Sequence, residues 1–203
     1  MKVYDADIRE KLIASFTQEE EFIGEEDTVV VNELDVCKGV SRIDVAVING
    51  AMHGYEIKSA QDNLERLPMQ IDSYNRVFDK MTIVAYESHI PKVIDLIPKW
   101  WAITEVKEDE NGLVFTKIRQ GKRNSNTQIE NVAMFLWRDE MIDLLLNHSN
   151  VKKGYKSKSR SALSKMIEEN IEPDVVKEYV RATLKMRQGW RAVPIQQICG
   201  DLH

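Results

Sequence analysis

The stretch from Ser41 to Ser59, SRIDVAVINGAMHGYEIKS, decides how the chain folds. Ser41 to Ile48 and His53 to Ser59 are runs rich in β-branched and aromatic residues, and the Asn49-Gly50 pair between them is the strongest short-range hairpin signal. A third run, Thr28 to Val36 (TVVVNELDV), joins through the turn residues Lys38-Gly39, so the segment predicts a three-strand meander. Charged groups interrupt these apolar runs: Glu33 in the first strand, Asp44 in the second, Glu56 and Lys58 in the third. Residues two apart on a strand share a face, so Glu56 and Lys58 point the same way. Asp44 lies one hairpin away, and a register that pairs it with Glu56 brings the two carboxylates together. Ile43, Val45, Val47, Tyr55 and Ile57 surround them, and charge placed among apolar positions is costly unless it serves a purpose.

Working outward, Asp5 to Phe16 has Ile8, Leu12 and Ile13 at helical spacing behind an acidic first turn. After the meander, Leu64, Leu67, Ile71, Tyr74 and Phe78 predict a helix within 63–78 that Pro68 starts or kinks, with Gln70 on it. A strand over Lys80 to Tyr86, a short helix over Pro91 to Ile97 and two strands around Asn111-Gly112 follow. Beyond Asn126 only helices are expected: Ile129 to Leu146 as one helix with Trp137 in its apolar stripe, then Ser161 to Asn170 and Pro173 to Arg187. The expected class is α/β, a mixed sheet flanked by helices with a helical C-terminal extension.

The 203 residues are 43% hydrophobic and 30% charged, which fits a folded chain with one full core. No stretch approaches the ~20 apolar residues of a membrane helix, and no signal-peptide pattern opens the chain, so no membrane partner and a cytoplasmic setting are expected. Cys37 and Cys199 are too few for a disulfide framework or a thiolate zinc site. Residues 1–150 carry 17 Lys+Arg against 27 Asp+Glu, whereas 151–203 carry 11 against 6. That shift marks a division into a core over 1–150 and a basic extension over 151–203. Lys152, Lys153, Lys156, Lys158 and Arg160 on the link, with Arg181, Lys185 and Gln188 near one helical face, are candidates for phosphate contacts; a solvated surface explains them as well.

Two adjacent carboxylates repel, and a divalent cation resolves the conflict. Mg²⁺ suits hard oxygen ligands with water and phosphate completing its shell, Mn²⁺ being a substitute. The adjoining Lys58 can orient or deprotonate water or stabilise charge on a phosphoryl group, so phosphodiester hydrolysis is the indicated chemistry. Glycines 24, 39, 50 and 54 stand singly, which argues against a nucleotide-binding phosphate loop.

Asp44, then Glu56-Ile57-Lys58, then Gln70 resembles the signature of the PD-(D/E)xK nuclease superfamily. The flanking Arg42-Ile43-Asp44-Val45-Ala46-Val47, Gly54-Tyr55-Glu56-Ile57-Lys58-Ser59 and Asp62-Asn63-Leu64-Glu65-Arg66-Leu67 are similar to a bacterial and phage group of restriction-enzyme-like proteins. Ile43 stands where the signature has Pro. The resemblance covers about Asp5 to Arg138 and implies a restriction-endonuclease-like core, an endonuclease or exonuclease acting on DNA, and often a homodimer. It implies that Asp44 and Glu56 bind metal, that Lys58 assists the water, that Gln70 belongs to the site, and that one more acidic residue joins them. Glu33 is preferred over Glu10 for that place. The alternative is a non-catalytic nucleic-acid-binding or protein-interaction module that keeps the fold.

Overall fold

A computed structural model of the chain describes residues 3–19, 22, 24, 27–187 and 190–200, the last two by backbone alone. Gln188 and the side chain of Cys199 lie outside the described residues. The first helix, α1 (Asp5–Phe16), precedes the meander β1 (Val29–Val36), β2 (Ser41–Ile48) and β3 (Met52–Lys58). Then come α2 (Leu67–Asn75), β4 (Lys80–Tyr86), a single 3-10 turn, α3 (Ile90–Leu96), β5 (Ala102–Asp109) and β6 (Gly112–Arg119). The rest is α4 (Ile129–Ala133), α5 (Arg138–His148), α6 (Arg160–Asn170), α7 (Pro173–Met186), β7 (Ala192–Pro194) and α8 (Ile195–Gly200).

Among the described residues the strands form one seven-stranded mixed sheet in the order β6-β5-β4-β3-β2-β1-β7. Strands β3, β4 and β5 run parallel and the other neighbours antiparallel. Helices cover both faces. One face carries the larger core, to which α2 contributes Leu67 and Tyr74, α5 contributes Met141 and Leu144, and α7 contributes Val180 and Leu184. The other carries Ile8, Leu12 and Phe16 of α1 with Val45, Val47, Tyr55 and Ile57 of the sheet.

The expected layering therefore holds, with three differences. The single helix expected over 129–146 is two helices, broken at Met134 to Trp137, where Trp137 starts α5 from an extended backbone. That break turns Trp137 outward at 54% exposure, so it is not a core residue. The helix expected within 63–78 forms only from Leu67, with Pro68 in its first turn, where a missing N–H costs nothing. Third, β7 pairs with the β1 edge and α8 packs in the smaller core with α1, and neither carries a periodic signal of its own. Across the boundary expected near Asn150 the apolar core is continuous, because Leu163, Ile167, Val176, Val180 and Leu184 pack with residues of the sheet. Among the described residues no helix is long and apolar enough to cross a membrane.

Candidate active site

The site forms where strands β1 and β2 change face. In β1, Val29 and Val31 pack into the larger core, and so do Leu34 and Val36, which breaks the two-residue alternation between them. In β2 the same break falls between Ile43 and Ala46. The two breaks meet because the register places Asn32 against Val45 and Leu34 against Ile43, leaving Glu33 opposite Asp44. Glu33 takes a left-handed backbone with φ of 54°, which costs a non-glycine residue on the order of 1–3 kcal/mol and is a mark of functional segments.

At the same level β2 parts from β3, whose pairing ends at Val45 and Tyr55. The Ile57 N–H then has no strand partner and donates to Asp44 Oδ2 at 2.7 Å. Asp44 and Glu56 thus both line one cleft of about 540 Å³, shared with Lys58 and Gln70. Glu56 is 1% exposed, and each of its oxygens is engaged. Lys58 Nζ and Gln70 Nε2 both donate to Oε1 at 2.6 Å, and the Tyr74 hydroxyl donates to Oε2 at 2.9 Å. Lys58 Nζ also donates to Gln70 Oε1 at 3.1 Å, so Gln70 bridges acid and ammonium.

Electrostatically the two carboxylates are strained as anions. Burial, then the neighbouring charge of Glu56, pushes Asp44 up to about 8, against which the Ile57 N–H bond acts. Burial also raises Glu56, opposed by Lys58, Tyr74 and Gln70. Arg9 of α1 supplies compensating charge: its guanidinium is 2.7 Å from Asp5, 3.5 Å from Glu33 and 3.6 Å from Asp44. Arg42 stands 3.6 Å from Glu33. Asp44, Glu56, Lys58, Gln70 and Glu33 therefore all line one cleft. Glu10 is exposed and lies outside that cleft. Asp5 and Arg9, which sequence reasoning passed over, line it. Their signal was present in the acidic first turn of α1, although nothing in helical periodicity says which end of α1 meets the sheet edge.

Among the described residues, no three His, Cys, Asp or Glu side chains are gathered closely enough to hold an ion by themselves. The donor chemistry of Asp44 and Glu56 nevertheless fits a hard divalent cation, which needs only one or two carboxylates when water and phosphate supply the rest. The observation that makes the fit is geometric: Asp44 and Glu56 line the same cleft, where burial disfavours both as bare anions.

A family model described as bacteriophage P4 protein cII matches residues 2–193. The chain belongs to the bacteriophage P4 protein cII family. Protein cII of Enterobacteria phage P4 is 29% identical over 119 residues, 59% of this chain and 45% of that protein. The chain thus spans less than half the length of that curated relative. A solved structure, the SPO1766 protein of unknown function from Silicibacter pomeroyi, is similar over 70% of this chain and 94% of its own, with 15% identity and a TM-score of 0.40.

The cations expected to face nucleic acid do not form a uniform set in this cII-family chain. Lys152, Lys153, Lys156 and Lys158 are exposed. Arg160 instead donates to the carbonyl oxygens of Met134 and Leu136, closing the break before α5. Lys185 is paired with Asp27 at 2.8 Å, and Arg181 lines a separate hollow with Arg123 and Lys177. Lys38, on the β1–β2 turn next to the cleft, donates to Ser161 at the start of α6, which brings the end of the basic link toward the cleft. His53 and His89 are hydrogen-bonded structurally, to Thr82 and to the Ser59 carbonyl.

Proposed function

We propose that the chain is a divalent-metal-dependent nuclease that hydrolyses DNA phosphodiester bonds with a PD-(D/E)xK-type site. The observation that carries this reading is the convergence of Asp44, Glu56, Lys58 and Gln70 on one cleft, with both carboxylates destabilised as anions. Asp44 and Glu56 would hold Mg²⁺ or Mn²⁺, with Glu33 at their side. Such an ion supplies Lewis acidity at the phosphoryl group and lowers the pKa of its water.

The remaining work falls to the protein. Glu56 is held in one orientation by Tyr74 and Gln70. Lys58, aimed by Glu56 and Gln70, orients the attacking water and stabilises the negative charge that grows on the non-bridging oxygens. The exposed lysines of the link 152–158 neutralise backbone phosphates and hold the strand across the cleft.

The test is cleavage of supercoiled, linear and branched DNA with Mg²⁺ or Mn²⁺. Wild type should cut, and Asp44→Ala and Lys58→Ala should each lose at least ~100-fold in rate. Activity equal to wild type in both variants refutes the proposal.

A second reading, a non-catalytic module that keeps the fold, is favoured by one observation: Arg9 and Lys58 already compensate much of the acidic charge. Calorimetry separates the two. Mg²⁺ binding that disappears in Glu56→Gln supports the nuclease, whereas no Mg²⁺ binding to wild type supports the module.

A further inference from the structure

Trp137 stands out because its neighbours in sequence predict burial and the fold exposes it. Arg187 contacts two indoles, its Cζ 4.1 Å from the centre of the Trp137 ring and 4.9 Å from that of Trp190. The charge of Arg187 is already met by Glu140 at 2.5 Å and by the Phe135 carbonyl. Its guanidinium is therefore held in place against both rings. One side of Trp137 rests on that guanidinium, while over half of the residue's surface faces solvent. An indole fixed in place with an open face is a stacking platform prepared in advance.

Around this platform is a hollow of about 380 Å³ that also takes in Arg160, Arg191 and Leu34. Arg160 is anchored by the Met134 and Leu136 carbonyls, and Arg191 donates to the Glu33 carbonyl at 2.8 Å. Each guanidinium has five N–H donors and uses only part of them in these contacts. The hollow thus offers a flat aromatic face, an apolar floor and oriented cationic donors. It also shares a wall with the carboxylate cleft, since Glu33 and Asp35 line both.

We propose that this hollow is a subsite for an unpaired nucleobase of a DNA strand whose phosphodiester backbone runs into the carboxylate cleft. The identity of the ligand rests on the nuclease reading; the stacking platform itself does not. A base in a duplex has both faces covered by its neighbours, whereas a base in a single strand, flap or frayed end offers one to Trp137. The acidic shared wall repels phosphate, which favours placing the base, rather than its backbone, against it. The substrate class is DNA with single-stranded character at the point of cutting.

The test is fluorescence anisotropy with labelled oligo(dT) and with a blunt duplex of equal length, in EDTA so that cutting plays no part. Trp137→Ala is expected to weaken oligo(dT) binding by roughly 5- to 150-fold, with Trp137→Phe recovering part of the loss and duplex binding unchanged. Cooperative melting of both variants close to that of wild type, with the Arg187 contact as the expected cost in Trp137→Ala, ties the effect to the ligand. Wild-type affinity for oligo(dT) in Trp137→Ala, equal losses for oligo(dT) and duplex, or absence of oligo(dT) binding by wild type each overturns the proposal. Selective binding of oligo(U) with oligo(dT) ignored overturns the assignment to DNA. Lys58→Ala separates the two claims: it should keep oligo(dT) binding and lose cleavage. Trp137-dependent binding without any cleavage by wild type would sink the nuclease reading and leave the subsite standing.

Discussion

Asp44 is the residue at which sequence and electrostatics meet most directly. Its carboxyl is raised to about 8 from an ordinary 3.8, first by burial and then by Glu56. Between those values the folded protein keeps a proton that the unfolded chain has released, so stability falls as pH rises across that window and levels above it. Glu56 is shifted in the same direction and adds to the slope. For the metal-free protein, thermal melting should show a loss on the order of a few kcal/mol from pH 5 to pH 8. Asp44→Asn should flatten that loss, because an amide carries no charge while still accepting from the Ile57 N–H. A pH profile as steep as wild type in Asp44→Asn would show that the penalty lies elsewhere. Gln70 gives a second measurement at this scale. Gln70→Ala leaves a 6%-exposed ammonium and a buried carboxylate each short of a partner, which should cost about 1–3 kcal/mol in a urea titration.

At the scale of elements, the hairpin β2–β3 was legible because β-branched alternation and Asn49-Gly50 both act within a few residues. The bounds of β2 and β4 follow the sequence expectation to the residue. The face switch at Glu33 and Asp44 was not legible. It depends on two strands breaking alternation at facing positions, and neither strand alone carries that information. The split between α4 and α5 was hidden for a related reason. The apolar periodicity continues through Met134 to Trp137, while Arg160 from a distant helix satisfies the carbonyls freed by the break. Close packing of β3 against Met81 of β4 and against Phe78, just before that strand, gives a further prediction. A methyl group on Gly54 would fall 2.5 Å from the Met81 sulfur and 3.2 Å from the Phe78 ring. Gly54→Ala should therefore destabilise by about 1–3 kcal/mol in equilibrium unfolding, with the Mg²⁺ dependence of any activity unchanged. A change below about 0.5 kcal/mol would mean that Met81 moves aside freely.

For the whole molecule, the question is whether the basic C-terminal segment is an appendage or a part of the core. Leu163, Ile167, Val180 and Leu184 are completely buried among residues that also pack on the sheet. Leu184→Ala should lower global stability by about 2–5 kcal/mol and shift one cooperative transition, including the exchange of β3 amides. Two separate transitions, with β3 unmoved, would make 151–203 an independent unit. The exposed lysines permit a different change. Replacing Lys152, Lys153, Lys156 and Lys158 with Ala together should leave melting within about 0.5 kcal/mol. The same change should lower the slope of log affinity for DNA against log salt by up to about 4. An unchanged slope would place the phosphate contacts on other cations.

The sequence by itself determined the class of fold and the β2–β3 hairpin, because alternation and turn chemistry are local properties of the chain; it put forward Asp44, Glu56 and Lys58 through their spacing on neighbouring strands, and Gln70 through a resemblance. Only the tertiary structure decided which further groups meet them. Asp5 and Arg9 reach the cleft through the docking of α1, and Trp137, turned outward by the helix break, is met there by Arg187, fifty residues later. Those contacts depend on how distant elements pack, and packing is fixed by the shape of the whole core rather than by any short stretch of sequence.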